Sequence, residues 1–261
     1  MLWRYLFLVL CWIFCIAYPI AVIGVAFDVN PPFSLAWAAS ALLFLEGGLL
    51  LFCVLFLFGW LRSLLVGLLI VLLSYLVETV GVTTGFPFGS YRYTDVLFPR
   101  LPGGVPLAVL FAWILIVLGV YGILRVHKPK PVLADLTLGA VLATLLDFAI
   151  EPVASRLEHY WLWLDPGPIN YYGVPLVNFA AWFVVSFVLL VLINIILSPT
   201  IPFQKVRPYA VLFVLRYMFA ASVFMFALAD LTHGYYWAAI LGPLIGMILY
   251  ARTIYYRQRM W

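Results

Sequence analysis

Apolar runs close to the ~20 residues needed to cross a bilayer recur along the whole chain, separated by short polar stretches. Eight spans are predicted: Trp3 to Val25, Leu35 to Phe58, Ser63 to Val80, Val105 to Leu124, Val132 to Pro152, Val174 to Leu197, Tyr209 to Ala229, and Tyr235 to Ala251. The runs are continuous instead of alternating, which excludes a transmembrane β-barrel. The chain therefore reads as an all-α polytopic membrane protein, with residues 1–261 forming one integral membrane domain. The last span is short enough to be tilted, partial or re-entrant, which leaves seven full crossings as the alternative. The first run follows a basic residue, as in a signal peptide. Its apolar core is too long and lacks a small-residue cleavage site, so it reads as a retained span.

Two connections are unlike the rest. Residues 81–104 are rich in Gly, Pro, Thr and Tyr, and residues 154–173 carry Tyr160, Trp161, Trp163, Tyr171 and Tyr172. The first is too polar to lie bare in lipid and must be covered by protein or line a cavity. The second suits an interfacial aromatic belt.

Composition agrees with the pattern. The chain is 67% hydrophobic and 9% charged, with a mean hydropathy of +1.16, whereas soluble chains are about 25% charged. With a cytoplasmic N-terminus, ten Lys and Arg fall on that side: Arg4, Arg62, the Arg125–Lys130 stretch, Lys205, Arg207 and the Arg252–Arg259 tail. Only Arg92, Arg100 and Arg156 fall on the other, and Arg216 lies within a span. This bias predicts that both termini are cytoplasmic and both unusual connections are external. The net charge of +4 is then a topology signal and implies no nucleic acid.

The acids are the departure from the pattern. Glu46, Glu78, Asp147 and Glu151 interrupt or end apolar runs, although a carboxyl group in hydrocarbon costs roughly 2.5–3.5 kcal/mol on insertion scales. Asp147 and Glu151 are four residues apart on one helix face, and two carboxyls that close resist double ionisation, so one can serve as an acid and the other as a base. The plainer account is that they end a helix beside Pro152. Glu78 is placed at a similar depth and begins a string of glycines, hydroxyls and phenols running to Asp95. Tyr91, Tyr93, Asn178, Thr84 and Asp95 are the candidate groups for holding water, substrate or a carboxyl.

Other polar residues have simpler readings. Glu46 at mid-span and Arg216 are expected to form a buried ion pair between two helices. Asp135 sits in the first turn of its helix and complements the dipole. His127 flanks a basic loop, while His159 and His233 are interfacial side chains or proton relays. Their spacing resembles no metal site. Cys11, Cys15 and Cys53 lie in apolar runs as small filler.

The Glu78 to Thr94 string, Gly104-Val105-Pro106, Asp147-x-x-x-Glu151-Pro152 and the Tyr171 to Trp182 string occur in order. Together they resemble the membrane carotenoid hydratase family, a group of carotenoid biosynthesis proteins that includes carotenoid 1,2-hydratases and bisanhydrobacterioruberin hydratases. The resemblance implies a polyene substrate of lycopene, gamma-carotene or bisanhydrobacterioruberin type, addition of water to a terminal double bond, and no cofactor. The residues suit that chemistry. A neutral carboxylic acid protonates one alkene carbon, a tertiary cation forms on the other, and water captures it as a base removes a proton. Asp147 and Glu151 are the expected acid and base, in either order, with Glu78 as third carboxyl. Three rivals share these residues: another prenyl-lipid enzyme such as a carotenoid cyclase, a proton-coupled small-solute permease, and an assembly protein without catalysis.

Overall fold

The computed structural model describes residues 2–29, 37–125, 131–197 and 209–258. The start of the second predicted span at Leu35, together with His127, Lys128, Lys130, Lys205, Arg207 and Arg259, lies outside the described residues. Among them, eight helices are long and apolar enough to cross a membrane, and the protein is an all-α polytopic membrane protein. They are α1 (Leu2–Phe27), α2 (Ala38–Phe58), α3 (Trp60–Thr84), α4 (Leu107–Leu124), α5 (Leu133–Pro152), α6 (Leu176–Ile196), α7 (Tyr209–Thr232) and a last crossing broken into α8 (Tyr236–Ala239) and α9 (Leu241–Gln258). That crossing, Tyr236–Tyr255, is long enough to span, so eight holds over seven.

α4 is the centre of the bundle, and nearly all of its side chains are buried. α2, α3, α5 and α7 pack around it. Close approach is achieved with glycine, as is usual where helices associate without a hydrophobic driving force. A Cβ on Gly47 of α2 would stand 2.8 Å from the Phe111 carbonyl oxygen of α4, and one on Gly122 of α4 would stand 2.5 Å from the Leu215 carbonyl oxygen of α7. By contrast, most of α1 faces outward.

Asp135 does cap α5, since its Oδ2 accepts the Val132 N–H at 2.9 Å. It does more than complement a dipole: Oδ1 lies 3.0 Å from Arg252 Nη1 and joins α5 to α9. Both side chains are nearly enclosed, at 5% and 9% exposure. Removing one partner of a buried pair strands the other charge, which typically costs about 3–5 kcal/mol. Asp135→Ala should therefore lower the thermal unfolding midpoint in detergent sharply, while Asp95→Ala, at an exposed pair with Arg100, should barely move it.

The expected Glu46–Arg216 pair is not formed. Glu46 Oε1 is buried with no hydrogen-bond partner. Depth explains it. Glu46 is eight residues from the Ala38 end of α2, whereas Arg216 is sixteen residues from the Thr232 end of α7. At ~1.5 Å per residue the two differ by about 12 Å along the bundle.

Two connections form structure that the hydropathy pattern does not announce. Residues 91–93 (β1) pair antiparallel with residues 161–163 (β2), with Tyr91 opposite Trp163 and Tyr93 opposite Trp161. A short hairpin joins β3 (Asn170–Tyr171) to β4 (Val174–Pro175). α5 also does not end at Pro152. It continues as a π-turn through Val153–Leu157.

Candidate active site

β1 and β2 lie across the end of the bundle where α3 and α5 finish and α4 and α6 begin. Side chains alternate along a strand, so Tyr91 and Tyr93 share one face of β1 and Trp161 and Trp163 share one face of β2. That common face meets the acids.

Glu78 on α3 receives three donors. Tyr91 Oη donates to Oε2 at 2.5 Å and Tyr93 Oη to the same oxygen at 2.8 Å. Trp113 Nε1, from α4, donates to Oε1 at 2.9 Å. Burial, and then the neighbouring Glu78, push both phenols up from their ordinary value, so they remain O–H donors at any physiological pH.

Glu151 on α5 also receives three. Trp161 Nε1 and Trp163 Nε1 each donate to Oε2 at 3.0 Å, and Asn178 Nδ2 donates to Oε1 at 3.2 Å. The same amide donates to Asp147 Oδ2 at 2.8 Å. Asn178 thus uses both N–H groups to bridge two carboxyls one helical turn apart. Asp147 is fully buried, and its Oδ1 has no hydrogen-bond partner.

The structure therefore brings Glu78, Asp147, Glu151, Tyr91, Tyr93 and Asn178 together. Two candidates lie outside this hydrogen-bonded cluster, although Asp95 still lines the cavity beside it. Thr84 is exposed at the end of α3, where its hydroxyl donates to the Val80 carbonyl and accepts from the Phe86 N–H. Asp95 is 98% exposed and pairs with Arg100. The histidines stand apart too: His233 meets Asp28 at 3.1 Å, and His159 lies 3.2 Å from the Ser155 carbonyl.

A cavity of about 1790 Å³ opens beside the cluster, well above the ~300–1,000 Å³ of a drug-sized pocket. Glu78, Glu151 and Asn178 line it, with the rings of Tyr91, Trp113, Trp161, Trp163 and Trp182. Trp113 and Trp182 are stacked at 4.2 Å. The rest of the wall is mostly apolar, from α1, α2, α4 and α7. Ile13, Ile20 and Ile23 of α1 both line the cavity and are exposed on the flank of the bundle, so the space reaches sideways toward lipid. Asp147 is not on this wall. It stays beside Glu151 through the Asn178 amide that bridges the two, and Glu78 joins Glu151 on the wall.

Trp113 is the participant that sequence reasoning missed. Trp161 and Trp163 are visible in the sequence only as part of an aromatic belt, and Trp182 only as the end of the Tyr171 to Trp182 string. The available signal was that a buried indole N–H needs an acceptor, and the acids are the acceptors at hand.

Fold and site together define a polytopic helical membrane protein with a carboxyl cluster facing a cavity of lipid size. The chain belongs to the carotenoid biosynthesis protein family, whose profile it matches over residues 38–249. It is also similar to a bisanhydrobacterioruberin hydratase of Haloarcula japonica, with 34% identity over 114 residues. That match covers 42% of this chain and 38% of the relative, so it spans little more than a third of the relative's length. No solved structure matches the chain.

Proposed function

We propose that the protein adds water to the terminal C=C of an acyclic or monocyclic carotenoid. The observation that carries this reading is the pair Glu78 and Glu151 on the wall of one large apolar cavity, each held by three N–H or O–H donors. Family membership and the printed name of the Haloarcula relative support it. One of these carboxyls, protonated, gives its proton to the less substituted alkene carbon, and the π pair forms the new C–H bond. The tertiary cation left behind is stabilised by the surrounding ring faces, each by about 0.5–2 kcal/mol. A water oxygen then forms the C–O bond, and the partner carboxylate accepts its proton. Atoms and charge balance without redox, so the chemistry itself requires no cofactor. Asp147 acts through Asn178, which sets the position of Glu151. The charge bias supports a topology with both termini in the cytoplasm and the carboxyl cluster toward the outer leaflet.

Expression in hosts that accumulate acyclic or monocyclic carotenoids, followed by mass analysis of the pigments, tests the reading. The expected result is a gain of one or two waters. A cyclised isomer of unchanged mass would assign a cyclase instead, and unaltered pigments across several such hosts would defeat both.

A further inference from the structure

The sideways opening admits a polyene, but it cannot deliver the second reactant. Hydrocarbon holds no water for a buried polar group, and the flank of α1 that meets it carries Ile13, Ile20 and Ile23. The same cavity has another end. Asp28, Asp95 and Glu158 line it as well as Glu78 and Glu151. All three stand where α1, α3 and α5 finish: Asp28 directly follows α1, Asp95 comes two residues after β1, and Glu158 directly follows the π-turn. The side chains of Asp28 and Asp95 are 77% and 98% exposed. Carboxylates so exposed keep their hydration, since stripping it is costly. The cavity is therefore open to water at this end.

The wall leading inward from that mouth has two kinds of surface. The connections contribute Glu158, Tyr160 and Tyr93. The Thr94 N–H donates to the Tyr160 carbonyl at 3.0 Å, which holds Tyr160 beside Tyr93, and the Tyr93 hydroxyl ends the series on Glu78 at 2.8 Å. Burial and then Glu158 push the Tyr160 phenol up from its ordinary value, so it stays an O–H. Across from these groups, α1 and α2 contribute Ala21, Gly24 and Leu42. A polar connection at membrane depth has to line a cavity, and here its polar groups run from the mouth to the acids.

We infer that this acidic mouth is the entry for the water of hydration, separate from the lateral slot that takes the polyene. The inference rests on the hydratase reading for the use of the water, but not for the mouth being aqueous. Arg100 and His233 pair with Asp95 and Asp28, and among the described residues no Lys, Arg or His lines the cavity. The mouth is therefore net negative and concentrates cations over anions.

Val96 gives access to a test. It lines the mouth beside Asp95, is half-buried and touches none of the carboxyls of the site. Val96→Cys in the full chain, in nanodiscs, is treated with a cationic trimethylammonium-ethyl or an anionic sulfonatoethyl methanethiosulfonate. Wild type, whose Cys11, Cys15 and Cys53 all lie on α1 and α2, gives the background rate. The new thiol should react about tenfold faster with the cationic reagent. Hydration, read by mass analysis, should fall with the modified fraction, while pigment absorbance shows the polyene still bound. Val96→Trp should fill the mouth and reproduce that split without any reagent; if it does not fold, the cysteine variant decides. A thiol that neither reagent reaches overturns the inference, as does full hydration after complete modification. Loss of pigment binding together with hydration also overturns it, because the mouth would then be the path of the polyene. If no variant, wild type included, hydrates any pigment but the charge preference in labelling holds, the hydratase reading falls and the mouth stands as the aqueous access to Glu78 and Glu151.

Discussion

Glu151→Gln and Glu78→Gln should each lower hydration by about 10²–10⁴-fold, the usual contribution of a positioned acid or base. The two carboxyls share one task, so loss of either should break the cycle of giving and accepting a proton. At Glu151 the substitution also disturbs geometry in a definite way. Oε2 faces two indole N–H groups, which can only donate, so the glutamine must turn its carbonyl toward them. Its NH₂ then confronts the Asn178 amide, which already donates to Asp147. At Glu78 the phenols can rotate to accept, and the loss there is the loss of an ionisable group alone. Pigment absorbance of the purified variants should show substrate still bound. Hydration that survives both substitutions at wild-type yield would remove these acids from the reaction.

The parts of this site that were legible in the sequence are those whose cost is local. A carboxyl within an apolar run is expensive wherever the chain folds, so Glu78, Asp147 and Glu151 were visible without any partner being known. Asp147 and Glu151 were also seen as neighbours, because helix periodicity alone puts them one turn apart. Which of them faces the cavity depends on how α5 is rotated against α6, and periodicity is silent on that. The sheet was illegible for a related reason. Its strands are three residues long and their centres, Arg92 and Leu162, lie 70 positions apart, so no alternation long enough to read exists in either.

The differences between pattern and structure have physical causes as well. Thr84 sits in the string that carries the family resemblance, but a hydroxyl in a last helical turn readily bonds the carbonyl four residues back, and this one does. Charge alone pairs Glu46 with Arg216, and their different depths keep them apart. Trp113 went unnoticed because an indole in an apolar run looks like packing, and its acceptor lies 35 residues away on another helix.

Asn178→Leu should cost about 10²-fold in hydration, or about 2.7 kcal/mol at ~1.36 kcal/mol per tenfold, although the residue bears no charge. The side chain has similar volume, so packing between α5 and α6 should survive. What disappears is the amide that donates to Asp147 Oδ2 and Glu151 Oε1 together. Asp147, whose Oδ1 is already without a partner, then has a carboxyl buried beside Glu151 with nothing to fix either orientation. A cycle with Asp147→Leu separates this from a simple packing defect. If Asp147 works only through the bridge, its removal from the Asn178→Leu background should cost far less than its removal from wild type, giving a coupling in the ~0.5–3 kcal/mol range of contacting residues. Additive losses would mean that Asp147 meets the substrate independently and that the amide is structural.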